Sequence, residues 1–400
     1  MPVAEIELGP EDREIQMRST TLRVGSGKRI TFPRRSFCLT RESDSESHLI
    51  KNPQIRGVNE IPRRITKDQI LDIDSDEGKQ ERFYSDIGSR FRSVNSADEV
   101  NMFIFSYFNG PKLRDKPKVR GPNRTPSRTE TEYLVGLLEH RLFNDIWVPP
   151  IINGLKGSEY VPYLQDFYDI AKRRNAAVAG LIPRFGRQEI RQLVNVFIEN
   201  EINYLVMDFD NRNPLALVGN INLTMAIKDA LEERSGRPCF VHGVNVPFYR
   251  GLWQDEVLPA RDIILFGMGF DCFGSSHVFR PWHPMDKEKL EHIKNEPKRF
   301  RLFNRQDYGY HRDDTIKAKD FEESIDVSVT VSMVQEMAAK RHPIQRQATR
   351  ALESAFNAER HGLEAEEIRR KLVAGQRLSK HLAEKPHLPR SVLDRLFRSS

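Results

Sequence analysis

From residue 131 onward, runs of apolar residues alternate with stretches of helical period. Helix-like TEYLVGLLEHRLF leads to strand-like IWVPPII at 146–152, and YVPYLQDFYDIAKRR follows as a helix. AAVAGLIP at 176–183 precedes the helix RQEIRQLVNVFIENE, and INYLVMDF at 202–209 precedes NINLTMAIKDALEERS. PCFVHGVNV at 238–246 and a run at 263–273 complete the series. Strands that return every 25 to 35 residues with a helix between them predict right-handed βαβ units and a parallel sheet. Near-continuous apolar character predicts strands buried on both faces. No Gly-rich dinucleotide turn follows the first strand, so the expected fold is α/β, a (β/α)8 TIM-type barrel over residues 17–335.

The flanks read differently. Residues 20–40 alternate apolar and polar around Gly25-Ser26-Gly27, as a hairpin does. Gly27-Lys28 is no phosphate loop, because the earlier glycine is missing and Arg29 stands where Ser or Thr belongs. Residues 41–130 are expected to be loop-rich, apart from a short buried strand at 102–108. Residues 336–400 are expected to form a helical, basic C-terminal extension, with Gly362 and Gly375 marking breaks between helices.

Charge and cysteine usage narrow the class. The chain has 400 residues and a formal net charge of +6, and residues 341–400 alone hold 13 Lys/Arg against 7 Asp/Glu. A basic terminal module suits a polyanion, although a solvated helical face gives the same count. No apolar run of membrane-spanning length occurs, and the acidic N-terminus lacks a signal-peptide core. Cys38, Cys239 and Cys272 lie far apart, which predicts a reducing, cytoplasmic setting and no Cys-rich zinc knuckle. No HxH or HxxxH spacing occurs, so no metal and no cofactor are expected.

Catalytic groups of a parallel barrel sit at the C-terminal ends of its strands. Read in that way, the strand ends offer Asn153; Arg184, Gly186 and Arg187; Asp208, Asp210, Asn211 and Arg212; His242, Gly243 and Asn245; and Asp271, Ser275, Ser276 and His277. His283 flanks Arg280 and Trp282 further on. Carboxylates, imidazoles and amides at one mouth are the equipment of acid/base or covalent chemistry. Asp208, Asp210 and Asp271 are the candidate catalytic residues; Arg184, His242, Gly243, Asn245, Ser275, Ser276 and His277 are candidates for substrate binding. Each has a structural alternative: helix or turn capping for the aspartates, a satisfied core histidine for His242.

The order of these features resembles the archaeal branch of the tRNA-guanine transglycosylases over about residues 176–310. AGLIPRFGRQEIRQLVNVFIENEINYLVMDFDNRNPL is similar to the family's base-pocket strand, helix and strand end. PCFVHGVNVPF with ILFGMGFDCFGSSHVFR resembles the segment that leads to its nucleophile, RLFNRQDYGY the strand after it, and VGSGKRITFPRRSF its opening hairpin. The resemblance implies a (β/α)8 enzyme in which an aspartate attacks the ribose C1′ of a guanosine, and the glycosyl enzyme then accepts a 7-deazaguanine-type base. It also implies a nucleic-acid partner, tRNA or DNA, and a homo- or heterodimer. Three features depart from the family: Gly274 stands at the nucleophile position, residues 103–107 hold no counterpart of the Asp-Ser-Gly strand end, and the three-cysteine, one-histidine zinc set is missing. Two other readings stay open: a catalytically inactive nucleic-acid-binding subunit, and an unrelated barrel hydrolase of glycosides or nucleosides using Asp208 and Asp271.

Overall fold

The computed structural model describes residues 4–12, 14–25, 27–40, 45–90, 98–108, 124–139, 144–152, 155, 157–183, 189–248, 254–277, 299–321, 327–340 and 343–388. Among these the chain is an α/β protein with two parallel sheets, two small antiparallel sheets and a helical C-terminal part.

The N-terminal antiparallel sheet is β1 (Glu5–Asp12), β2 (Met17–Arg23) and β3 (Arg29–Phe32), the last two forming the expected hairpin. Two short strands follow on one extended segment, β4 (Arg34–Arg35) and β5 (Phe37–Cys38). Then come α1 (Glu46–Leu49), β6 (Val58–Thr66), α2 (Lys67–Asp74), α3 (Glu77–Arg90), β7 (Val100–Phe108) and α4 (Arg128–Glu139). The series continues with β8 (Ile146–Trp147), β9 (Ile151–Ile152), α5 (Gly157–Arg173), β10 (Gly180–Ile182), α6 (Ile190–Glu199), β11 (Tyr204–Asp208), α7 (Val218–Ser235) and β12 (Phe240–Val246). It ends with β13 (Val257–Pro259), β14 (Cys272–Ser275), β15 (Arg301–Asn304), β16 (Gly309–Arg312), α8 (Val331–Ala339), α9 (Pro343–Val373) and α10 (Leu378–Ala383).

One parallel sheet has the order β5-β6-β7-β8, with β9 also on β7, and the other runs β10-β11-β12-β14-β4. The segment carrying β4 and β5 pairs with both: Ser36 N donates to Phe273 O at 3.0 Å on one side, and Leu39 N to Glu60 O at 2.9 Å on the other. At the opposite edges Trp147 bridges to Val178, with Trp147 N on Ala177 O at 2.8 Å and Ala179 N on Trp147 O at 2.9 Å. Strands β11 and β12 are buried at every position, which is why they appear in the sequence as unbroken apolar runs.

Three expectations change. The 41–130 stretch is not loop-rich where it is described, because it supplies α1, β6, α2, α3, the whole of β7 and the start of α4. The apolar run at 263–273 is not one strand: residues 263–267 wind as a 3-10 turn whose first amide is capped by Asp262, and strand geometry begins only at Cys272. Gly362 lies inside α9, where it lets the helix come close to Ile55 and Phe37, whereas Gly375 does end that helix at φ +67°.

The helical C-terminal part shares the main core. Ala365, Ile368 and Leu372 of α9 and Leu378 and Leu382 of α10 belong to the same apolar cluster as the sheet residues. Polar groups of α9 are engaged inward too. Glu359 accepts from the amides of Ser328 and Val329 at 2.7 and 3.1 Å, and Arg360 donates to Val329 O at 2.9 Å. Buried His361 meets Tyr310 at 3.0 Å, and the same tyrosine donates to Asp262 at 2.6 Å. Burial lowers the His361 imidazole, with Arg35 adding to the effect, and burial raises the Asp262 carboxyl to about 7.

Candidate functional site

Strand β6 carries a glutamate in a stretch that is buried on both faces. Glu60 is fully buried, and an ionised carboxylate survives there only with full compensation. Its Oε1 accepts from Ser36 Oγ at 2.5 Å and lies 2.7 Å from His242 Nε2 of β12. Its Oε2 lies 2.5 Å from Nε2 of His277, two residues beyond β14. On its far side His242 Nδ1 meets the Tyr204 hydroxyl of β11 at 2.9 Å.

Gly274 of β14 exists because of this carboxylate. A Cβ built at Gly274 would fall inside the van der Waals volume of the Glu60 carboxyl group. The space a side chain at 274 would use is therefore filled by a carboxylate from another strand. Cys272 lies on the same face of β14 two residues earlier, while Phe273 points away to Arg35, whose guanidinium is 5.1 Å from its ring.

The three titratable groups support one another. Burial by itself raises the Glu60 carboxyl, but hydrogen bonds and charge from His242 and His277 outweigh it and hold it well below the usual carboxylate range. Burial lowers both imidazoles, and their polar neighbours reverse the sign. Cys272 and Glu60 hold His242 up at about 10, and Cys38 and Glu60 do the same for His277. Burial also raises the Cys38 thiol, so near neutral pH Glu60 is the anion beside His277.

The network continues to the end of β11. His277 N donates to Asn245 Oδ1 at 2.9 Å, and Asn245 Nδ2 donates to Asp208 Oδ1 at 2.8 Å. Asn245 takes φ +59° where the β12/β14 register shifts, which re-aims its amide between the two strand ends. Asp208 also accepts from Asp210 N at 3.0 Å across a turn in which Asp210 and Asn211 both have positive φ. Asp208, Asn245, His277, Glu60, His242 and Tyr204 thus form one continuous hydrogen-bonded array.

Four of the candidates read from strand ends meet here: Asp208, His242, Asn245 and His277. The others are placed elsewhere. Asp271 precedes β14, so it lies at the start of that strand and not at its C-terminal end. Its carboxylate accepts from Val241 N at 2.8 Å and Thr20 Oγ1 at 2.9 Å and sits 3.8 Å from Arg18 Nε, which anchors the N-terminal hairpin. Asp271 pairs at the level of Val241, itself opposite Leu205, three residues before Asp208. At about 3.3 Å per residue that is about 10 Å along the strand. Asp210 points to Arg212 at 3.6 Å, and Gly243 is occupied by packing against Phe209 and Phe270.

Ser275 donates to Glu46 Oε1 at 2.6 Å and accepts from Arg35, a structural cluster beside the site. Ser276 follows it, half-buried. Arg184 lies outside the described residues, as do Asn153, Gly186, Arg187, Arg280, Trp282 and His283. Glu60 was not among the candidates, because VNEIPRRIT has too many polar residues to read as a buried strand. The signal that could have found it is Gly274, a glycine inside a buried strand, which marks close approach by another group.

Beyond Glu60 on the same strand, a cavity of about 620 Å³ lies against α2 and α3. Arg63, Arg64, Lys79 and Arg82 line it, with Asp72 and Asp86 as the opposing charges. Arg63 pairs with Asp86 at 2.5 Å and stacks 5.2 Å from the Phe83 ring.

No family model matches the chain, and no curated protein matches it. Among solved structures it is similar to a glucosidase from Croceicoccus marinus, at 10% identity and a TM-score of 0.37, covering 68% of this chain and 63% of the glucosidase. It is also similar to the YdjI aldolase from Escherichia coli K12, at 7% identity and a TM-score of 0.36, covering 86% of this chain and 91% of the aldolase. No described helix is long and apolar enough to cross a membrane.

Proposed function

We propose that the two parallel sheets are arcs of one (β/α)8 barrel and that the array linking them, which reaches Asp208 at the end of β11, performs transglycosylase-type base exchange on a nucleic acid. The barrel reading is supported by the 34–39 segment, which joins β14 to β6, and by the Trp147–Val178 bridge. One observation carries the chemistry: the His277 imidazole pairs with the Glu60 carboxylate, and the backbone amide of the same residue is joined through Asn245 to the Asp208 carboxylate. A fixed acid beside a fixed anion is what cleavage of an N-glycosidic bond requires.

In this scheme an Asp208 oxygen bonds to the ribose C1′ as the C1′–N bond breaks. The electron pair leaves with the base, which takes a proton from the His277 imidazolium. An incoming base then attacks C1′, the ester to Asp208 breaks, and the proton of the incoming nitrogen returns to His277. Glu60 does not react; it positions His277 and sets its charge. The cation-lined cavity along β6 suits the phosphates of tRNA or DNA, and the entering base is of the 7-deazaguanine type.

The test is incubation of purified protein with tRNA or duplex DNA and labelled guanine or 7-deazaguanine. The expected outcome is incorporation into one of the two nucleic acids, reduced at least about 10³-fold by Asp208→Asn and about 10²-fold by His277→Gln. No incorporation into either would remove the enzymatic reading. A binding subunit without activity is the second reading, favoured by Gly274, which leaves no side chain and no space for one where the resemblance places the nucleophile. Salt-sensitive nucleic-acid binding without exchange would select it.

A further inference from the structure

Far along the sequence from this array, the turn between β15 and β16 meets the segment that follows α10. Asp307 lies in the turn, His311 follows on β16, and His387 comes from the C-terminal segment. His311 Nε2 is 2.8 Å from Asp307 Oδ2, and His387 Nε2 is 3.6 Å from the same oxygen. The three donor atoms all lie within 4.8 Å of one another. We propose that Asp307, His311 and His387 bind a divalent first-row metal ion, zinc above all, and that the ion clasps the C-terminal segment to the hairpin.

Geometry supports this assignment. A zinc ion about 2.0 to 2.2 Å from each nitrogen or oxygen donor spaces tetrahedral donors roughly 3.3 to 3.5 Å apart. The two separations from Asp307 Oδ2, 2.8 and 3.6 Å, fall on either side of that value, and the two imidazole nitrogens lie within 4.8 Å of each other. The donor set, two imidazoles and one carboxylate, suits zinc and its neighbours better than magnesium or calcium. Side-chain exposures of 21% for Asp307, 17% for His311 and 36% for His387 leave a face on which water can fill a fourth position.

The surroundings hold the donors in place. The other Asp307 oxygen accepts from Gly309 N at 2.8 Å, and the Asp307 carbonyl accepts from His387 N at 2.9 Å. Orienting contacts of this kind around ligands are typical of metal sites. A Cβ at Gly309 would meet Val257 at 2.4 Å and the His387 ring at 2.8 Å, so glycine here leaves room for strand pairing and for the histidine beside Asp307. The edge of the His311 ring packs on Phe321, at 5.5 Å between centroids. An ordinary histidine–aspartate pair would use one imidazole; here a second, from a distant segment, converges on the same oxygen.

The experiment uses the full chain, purified without a histidine tag and stripped with chelator, and titrated with Co²⁺ and Zn²⁺. The expected result is one equivalent bound, with the visible absorption of four-coordinate cobalt and its displacement by zinc. His311→Ala and His387→Ala should each weaken binding about 100-fold or more while leaving Asp208-dependent base exchange in place. Cobalt with only six-coordinate, weak absorption, or a bound ion that survives His387→Ala, would overturn the proposal. Limited proteolysis after α10 gives a second readout: zinc should slow cleavage in the wild type and not in His387→Ala, and equal cleavage in both would contradict the clasp.

Discussion

Gly274→Ala is expected to destabilise the protein by more than about 3 kcal/mol, and removal of Glu60 in the same chain is expected to abolish most of that penalty. Ordinary overpacking costs about 1 to 3 kcal/mol, because neighbours rotate away. Here the added methyl would meet a carboxylate held by Ser36, His242 and His277, and moving it breaks charge-assisted hydrogen bonds inside the core. Glu60→Ala alone leaves two buried imidazoles without their anion, a loss of about 3 to 5 kcal/mol of the kind seen when one partner of a buried pair is deleted. In that background the same methyl enters the vacated space. Urea unfolding of the two single variants and the double variant should therefore give a coupling of at least about 2 kcal/mol. Equal costs of Gly274→Ala with and without Glu60 would contradict the account. For the same reason, an aspartate at 274 tests lost activity only when Glu60 is removed as well, so that the carboxylate moves from β6 to β14.

Glu60→Gln is expected to change the pH dependence of stability as well as its size. His242 and His277 are raised from 6.5 to about 10, so their contribution is complete below about 6.5 and is lost as pH rises through about 10. Glu60 is lowered from 4.5, so its contribution is present above about 4.5 and is lost as pH falls. The array should be most stabilising between these limits, near pH 5 to 6. Wild type should then lose stability steadily from pH 6.5 to 10. In Glu60→Gln the imidazoles have no buried anion, burial lowers them, and the alkaline slope should flatten. Thermal unfolding from pH 5 to 10 checks this, and parallel curves for the two proteins would count against an ionised Glu60.

The sequence reveals the repeating strands and helices and four of the six residues of the array. It does so where burial on both faces demands unbroken apolar runs, as in β11 and β12. It hides β6, because Asn59, Glu60, Arg63 and Arg64 are stabilised by partners that no local pattern displays: Asn59 by Ser47 and Asn101, and Glu60 by two histidines about two hundred residues away. The misplacement of Asp271 has a local cause. An apolar run of this length fits a strand or a helical turn equally well. Taking 263–273 as a strand puts Asp271 near its C-terminal end, whereas Asp262 caps a 3-10 turn and delays the strand to Cys272, so Asp271 falls at the opposite end. Asp307 and His311 escaped the metal spacings considered because the second histidine lies 76 residues further on.

The most direct measurement is the protonation state of His277, read from the ¹⁵N chemical shifts of its imidazole between pH 6 and 9. Both ring nitrogens should be protonated across that range in the wild type, and the ring should be neutral near neutral pH in Glu60→Gln. A wild-type His277 that titrates near 6.5 would contradict this, because the acid proposed beside Asp208 would then be absent at the pH where it must act.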